Sequence, residues 1–300
     1  MNKNVVFSEV EQQVEKLKEQ GLIFSDEEFA KRELQLYGYS NLIKSYREPY
    51  LLAIDGKKIY RSGATFEQIR SLYLFDKNLR NAVMAAMLDL EEHVKETVAD
   101  VVSKSFGVHQ DSYLNFENYR DKKKRKYRFT LSGILQTIRK SLDTGKAPVF
   151  HYIQKYHTVP PWILFKNVYF STVVNFVDLF KPSEKMEMVS KLYNFSNLNV
   201  GIEDGSFLMM DTLFVCIEYR NLAAHGGRIY NYRHEKRVRF TEEQEKLPLY
   251  GFSQFLLLLS MMKYKMPYKH LERVLLQQLT RHCNDFPEDF EYLKRVLDID

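Results

Sequence analysis

Glycine and proline are scarce, 12 and 8 in 300 residues, so the many turns of a sandwich or barrel have few residues to be built from. An all-α chain is expected. Cysteine is nearly absent: Cys216 and Cys283 stand alone, which excludes a disulfide framework and paired metal ligands and points to a reducing compartment. Long apolar runs are missing too. The longest, Phe252–Met262, is about half of the roughly 20 residues a membrane span needs. The segment Met1–Val10 turns polar before a signal-peptide core forms, so a soluble cytoplasmic protein with no membrane partner is expected. With 45% hydrophobic, 14% aromatic and 28% charged residues, the chain has enough apolar surface to bury a core, which excludes disorder.

The charge excess is small, 44 Lys and Arg against 39 Asp and Glu, but it is unevenly spread. Arg120–Arg128 places seven cations in nine residues, among them Lys122, Lys123, Lys124, Arg125, Lys126 and Arg128. Arg228–Arg239 forms a second cluster interleaved with tyrosines. Such clusters suit phosphate binding, and a solvated loop is the competing reading. Tyr113, Tyr119 and Tyr127 flank the first cluster and are candidates for stacking on unpaired bases.

Periodicity places a helix through Val5, Val6, Val10, Val14 and Leu17, capped by Ser8 and stopped at Gly21. A second starts at Ser25-Asp-Glu-Glu28 and ends before Gly38, and residues 49–64 form a connector with room for a short hairpin. From Thr65 to Phe106 there is neither glycine nor proline, which predicts the longest helix, one with room to bend, with Glu91 and Lys95 as an i,i+4 pair within the ion-rich stretch Asp89–Glu96. Residues 108–130 read as an exposed excursion. Helices follow at Leu131–Leu142, from Pro161 continuously through Phe180, from Ser183, from an Asp204 or Ser206 cap to Gly226-Gly227, and from Phe252 and Pro267. Neither a repeat nor a linker divides the chain. A single helical domain is expected over 1–300, with 1–64 as an N-terminal extension and 65–300 as a bundle.

In the helix before the double glycine, Phe207, Met210, Phe214 and Ile217 follow one stripe at steps of three and four. The expectation is that this stripe is buried and that Asn221 and Ala224 extend it, with His225 adjoining. Asn221 and His225, four apart, then hydrogen-bond one another or share a ligand, and the neighbouring Arg220 reaches the same place. His225 falls at a helix C-terminus, where the dipole favours a cation. A helix-end histidine beside a surface arginine is the plainer reading of the same spacing.

Arg220-Asn-Leu-Ala-Ala-His225 resembles the signature of HEPN ribonucleases. The longer block Arg220–Arg233 resembles the "RN-x-x-AH-x-x-R-x-x-N" block of the Abi-like abortive-infection family, the AbiD and AbiF group of bacterial phage-defence proteins. Phe66–Arg80 is similar to that family's "F-x-x-I-x-x-LY-x-FD-x-x-LR" helix, and Pro160-Pro-Trp162 to its "PP-x-W" block, with the tryptophan here directly after the prolines. Gly21–Ala30 and Tyr37-Gly-Tyr39 match the family's opening. Gly226, Gly227 and Tyr230 depart from it where histidine, serine and tryptophan are common.

The resemblance implies a HEPN-type helical bundle with additional N-terminal and C-terminal helices, cleaving RNA without metal or cofactor across a homodimer. Arg220, Asn221 and His225 become the catalytic candidates: His225 as acid or base in attack by the 2′-hydroxyl, Arg220 on the phosphate, and Asn221 orienting either. Arg228, Asn231 and Arg233 would guide the backbone, whereas Arg228 paired with His234 lacks a helix and is discounted as a second site. Two readings compete with an RNA-cleaving defence toxin: a non-catalytic protein of this fold that holds a structured noncoding RNA, and a protein-interaction bundle with no RNA.

Overall fold

The computed structural model describes residues 7–54, 56–121, 126–143, 145–194, 202–234, 237–238, 247–248 and 251–299. Helices dominate, as expected, and the described strands form two short antiparallel pairs. No helix among the described residues is long and apolar enough to cross a membrane. The chain divides into two compact units, residues 1–81 with 274–300, and residues 82–273.

The first unit opens with α1 (Val10–Glu19), which buries Val14 and Leu17. Glu9, not Ser8, occupies its N-cap, and the Glu9 amide donates to Gln12 Oε1 at 3.1 Å. Val5 and Val6 lie outside the described residues. Helix α2 (Glu27–Tyr37) starts at Asp26, whose carboxylate accepts from the Phe29 amide at 2.9 Å, as the cap-plus-acid pattern predicts. The connector holds a hairpin of β1 (Leu51–Ile54) and β2 (Lys57–Tyr60), paired from Leu51 with Tyr60 to Ile54 with Lys57. Gly56 supplies the positive φ, +73°, that so tight a turn requires. Helix α3 (Phe66–Phe106) then begins, and it is the longest described helix.

From residue 274 the unit regains the end of α12 (Met266–Asp285), followed by α13 (Phe290–Leu297). Between them Asp289, 2% exposed, gathers a polar knot. Its carboxylate accepts from Tyr50 Oη at 2.7 Å, Gln68 Nε2 at 3.0 Å and Arg61 Nη2 at 3.1 Å, and faces His282 Nε2 at 3.1 Å. Ser71 Oγ lies 2.8 Å from His282 Nδ1. Burial pushes the Asp289 carboxyl up, but hydrogen bonds from His282 and Tyr50 outweigh it and leave its pKa below the ordinary value. None of these contacts is local, so periodicity gives no sign of them.

The second unit takes up α3 at Ala82 and continues through α4 (Gln110–Tyr113), α5 (Leu131–Lys140) and α6 (Val149–Tyr156). The stretch after Gly107 is largely exposed among its described residues, as expected, but two of its tyrosines are not. Tyr113 and Tyr119 are 0% and 5% exposed; Tyr113 Oη donates to the Val159 carbonyl at 2.6 Å, and Tyr119 packs between Phe106, Phe176 and Phe180. Both are core residues, and neither is available to stack on RNA. The side chain of Tyr127 lies outside the described residues.

The helix expected from Pro161 through Phe180 is broken. It is α7 (Pro161–Leu164), a 3₁₀ turn at Phe165–Asn167, and α8 (Phe170–Val177). Asn167 Nδ2 donates to the Ile163 carbonyl at 3.0 Å, satisfying a group that a continuing helix would use. Helix α9 (Pro182–Leu192) follows, and then α10 (Ile202–Ala224), which packs on α8, α9 and α11 (Phe252–Met261). Helix α10 starts ahead of both Asp204 and Ser206, so neither is its cap. A two-residue pair, β3 (Arg237–Val238) with β4 (Leu247–Pro248), lies between α10 and α11.

The buried face of α10 is not the stripe expected. Leu208, Met209, Leu213, Cys216, Tyr219 and Ala223 turn inward, with the Tyr219 ring stacked on Phe255 at 4.0 Å. Of the expected stripe, Met210 is buried, but Phe207, Phe214 and Ile217 are half-buried. Apolar residues occupy most of the circumference of α10, so period alone fits more than one face.

Candidate functional site

The last turn of α10 carries the motif, and its geometry follows from two glycines. The His225 amide donates to the Asn221 carbonyl at 3.0 Å, Gly226 takes φ +72°, and the Gly227 amide returns to the Leu222 carbonyl at 2.8 Å. This is a Schellman turn with a left-handed glycine, as the double glycine predicts. It reverses the chain directly after His225 and leaves that imidazole exposed.

The returning segment is held by alternation. Ile229 and Tyr230 enter the core, Arg228 and Arg233 stay exposed, and Asn231 is half-buried. Tyr232 then packs edge-on against Tyr219 at 5.4 Å, with its hydroxyl 3.3 Å from Glu218 Oε2. His234 is buried with Nε2 2.7 Å from the same oxygen. Residues 228–234 therefore lie back along α10 beside the motif. The pairing of Glu218 with His234 is the part of this arrangement that sequence reasoning missed. His234 is too buried for a second active site.

Asn221 is exposed and Arg220 half-buried. Arg220 Nη1 makes one long hydrogen bond, 3.4 Å, to Asn221 Oδ1, while Arg220 Nε is sealed from solvent with no acceptor. A buried donor without a partner costs about 1–3 kcal/mol. No hydrogen bond joins the side chains of Asn221 and His225 among the described residues. Sharing of an external ligand is therefore the expectation that remains open.

One turn before Asn221, Phe214 and Ile217 open into a cavity of about 570 Å³ whose other walls are Phe129, Ser171, Asn175 and Glu218, with Lys126 at its edge. The structure thus brings the end of the first basic cluster to the motif helix. Arg128 is exposed, its guanidinium 4.5 Å from the Phe129 ring. Lys122, Lys123, Lys124 and Arg125 lie outside the described residues.

A family model described as Abi-like protein matches residues 32–231. The chain belongs to the Abi-like protein family. The match starts within α2 and ends at Asn231, so it takes in all of α10, the glycine turn and Arg228. Membership points to abortive-infection phage defence. No curated protein and no solved structure matches this Abi-like chain.

Proposed function

We propose that the protein is a metal-independent endoribonuclease of HEPN type, acting in phage defence. The observation that carries this reading is Arg220, a guanidinium with an unpaired buried N–H, beside an exposed imidazole at the end of the same helix. A phosphate between them would give the guanidinium the anion it lacks. The 2′-hydroxyl attacks its own phosphorus, the bond to the 5′-oxygen breaks, and a 2′,3′-cyclic phosphate and a 5′-hydroxyl result. His225 takes the proton from the nucleophile or delivers one to the leaving oxygen. Arg220 offsets charge developing on the phosphate oxygens, and Asn221 donates to the same phosphate.

One imidazole performs one of these transfers at a time, so two chains facing one another supply both. The half-buried Phe214 and Ile217, on the face of α10 that also carries Asn221, offer apolar surface for that homodimer or for RNA bases. Lys126, Arg128, Arg228, Asn231 and Arg233 guide the backbone of the RNA.

The test is cleavage of cellular and phage RNA by the purified protein and by His225→Ala. Wild type is expected to yield cyclic-phosphate ends in the presence of EDTA, and His225→Ala to bind RNA without cutting it. A substrate with deoxyribose at the cleaved position should bind and resist. RNA retained by the wild type, with no cleavage of any RNA, would transfer the assignment to a noncoding-RNA-binding protein.

A further inference from the structure

Serine and threonine hydroxyls inside a helix commonly bond back to the carbonyl about four residues earlier. Two on α3 do so: Thr97 Oγ1 donates to the His93 carbonyl at 2.8 Å and Ser103 Oγ to the Ala99 carbonyl at 2.7 Å. Ser71 does not. Its hydroxyl has one hydrogen-bond partner among the described residues, His282 Nδ1 on α12, at 2.8 Å.

The other nitrogen of that imidazole faces Asp289, with Nε2 3.1 Å from Oδ2. A carboxylate only accepts, so in a neutral imidazole Nε2 carries the hydrogen and Nδ1 turns its lone pair to the Ser71 hydroxyl. Serine then donates to histidine and histidine to aspartate, the order in which a base activates a nucleophile and a carboxylate fixes the base. Packing holds the imidazole in place. His282 is 1% exposed, with the Phe75 and Phe286 rings centred 6.2 and 5.6 Å from its own. Asp289 also accepts from Tyr50, Gln68 and Arg61, so its charge is compensated with no contribution from Ser71.

Ser71 and His282 line a cavity of about 180 Å³ whose walls lie wholly within the first unit. A cavity of about 150 Å³ is large enough for benzene, so this one takes an acyl group of a few carbons. Its walls also supply donors for a carbonyl oxygen. Gln278 is 9% exposed; its Oε1 accepts from Asn78 Nδ2 at 2.8 Å, and its own N–H groups meet no acceptor among the described residues. The exposed guanidinium of Arg281 likewise has no hydrogen bond or ion pair among them. The remaining charges disfavour an anionic substrate. Glu67, whose Oε2 is sealed from solvent without a donor, and Asp285 set two carboxylates against Arg281, while Arg70 is paired with Glu33. A neutral ester suits this cavity better than a phosphate.

We propose that this cavity hydrolyses short-chain carboxylic esters, with Ser71 and His282 as catalytic residues and Asp289 as the positioning residue. Ser71 Oγ bonds to the carbonyl carbon as its proton passes to His282 Nδ1. The carbon–oxygen bond to the alcohol then breaks, and that proton goes to the departing oxygen. Water attacks the acyl-serine in turn, giving His282 Nδ1 a proton that returns to Ser71 Oγ, so ester and water become acid and alcohol. Gln278 and Arg281 donate to the carbonyl oxygen while it carries negative charge. None of these residues belongs to the RNA-cleaving motif, so the two readings stand or fall separately.

Full-length wild type treated with a fluorophosphonate should gain an adduct that peptide mass spectrometry maps to Ser71. It should hydrolyse p-nitrophenyl acetate with saturation, and faster than p-nitrophenyl octanoate. Ser71→Ala, with unchanged circular dichroism, should take no adduct and lose hydrolysis by about 10²-fold or more. Asp289→Asn, assayed per folded molecule, should lower kcat at unchanged KM, with a deficit that narrows as pH rises and hydroxide replaces His282 as the base; a deficit constant with pH would overturn the positioning role. No adduct at Ser71, equal hydrolysis by wild type and Ser71→Ala, or octanoate turned over as fast as acetate would overturn the proposal.

Discussion

Gly227 stands so close to Leu222 that a β-carbon on it would lie 2.2 Å from Leu222 Cδ1 and 3.1 Å from the Leu222 carbonyl oxygen. The turn that presents His225 therefore depends on a missing side chain as well as on a positive φ at Gly226.

Gly227→Ala should force Leu222 aside and destabilise the protein by about 1–3 kcal/mol, the usual cost of overpacking. Cleavage should fall by more than the loss of folded protein explains, because the turn moves with the imidazole. Comparing denaturation midpoint with specific activity at a temperature where the variant remains folded decides this; a full-strength midpoint would sink the argument.

Arg220→Ala is expected to behave in the opposite way. Since the guanidinium makes one long internal hydrogen bond and leaves a buried N–H unpaired, its removal should change the unfolding free energy by less than about 1 kcal/mol. Activity should drop by about 10²-fold or more, as when a donor to transition-state charge is removed. Arg220→Lys should not restore it, because an ammonium lacks the planar fork. Strong destabilisation would assign Arg220 to the fold.

Phe214→Ser with Ile217→Ser bears on the proposed homodimer. Both side chains are half-buried, so the change should cost little stability. It should lower the apparent mass in sedimentation at micromolar concentration and make cleavage depend more steeply on protein concentration. Unchanged mass, if wild type is dimeric, would place the interface elsewhere.

Lys126→Gln with Arg128→Gln addresses RNA binding at the cavity edge. Each lost phosphate contact should flatten the log–log salt dependence of affinity by about 0.7 for single strands. An unaltered slope would return these cations to a solvated loop. Tyr113→Phe should leave affinity unchanged and cost about 1 kcal/mol through the lost bond to Val159.

Asp289 sets an acid limit on the first unit. Its pKa is depressed in the fold, so its stabilising contribution is complete above the ordinary value of 3.8 and is lost as pH falls through the lower folded value. Asp289→Asn should be destabilised by about 3 kcal/mol at neutral pH, and the gap from wild type should close only below pH 3.8. Urea midpoints from pH 7 down to pH 3 measure it; a constant gap would show that the carboxylate charge is irrelevant.

What was legible in the sequence was local. Asp26 with the acids after it, Gly56 between two short strands, the glycine-free stretch ending at Gly107 and the pair Gly226-Gly227 each carry their structural reason within a few residues. The helical position of Arg220, Asn221 and His225 was legible for the same reason. The inward face of α10 was not, because an all-round apolar helix lets its neighbours choose. Tyr113 and Tyr119 misled in the other direction: polar and basic neighbours suggested surface, while hydroxyl partners at Val159 and Tyr113 allowed both rings into the core. Glu218 with His234, and Asp289 with Tyr50, join residues far apart in the chain, and spacing holds no information about them.

The pairing of Tyr50 with Asp289 also has a meaning in time. The two residues are separated by 239 positions, so at 5–20 residues per second the ribosome needs about 12 to 48 s between making one and making the other. Throughout that interval Tyr50, Arg61 and Gln68 are already synthesised but lack the carboxylate that later unites them. The polar knot around Asp289 therefore closes only after residue 289 has been made, although three of its members are translated early.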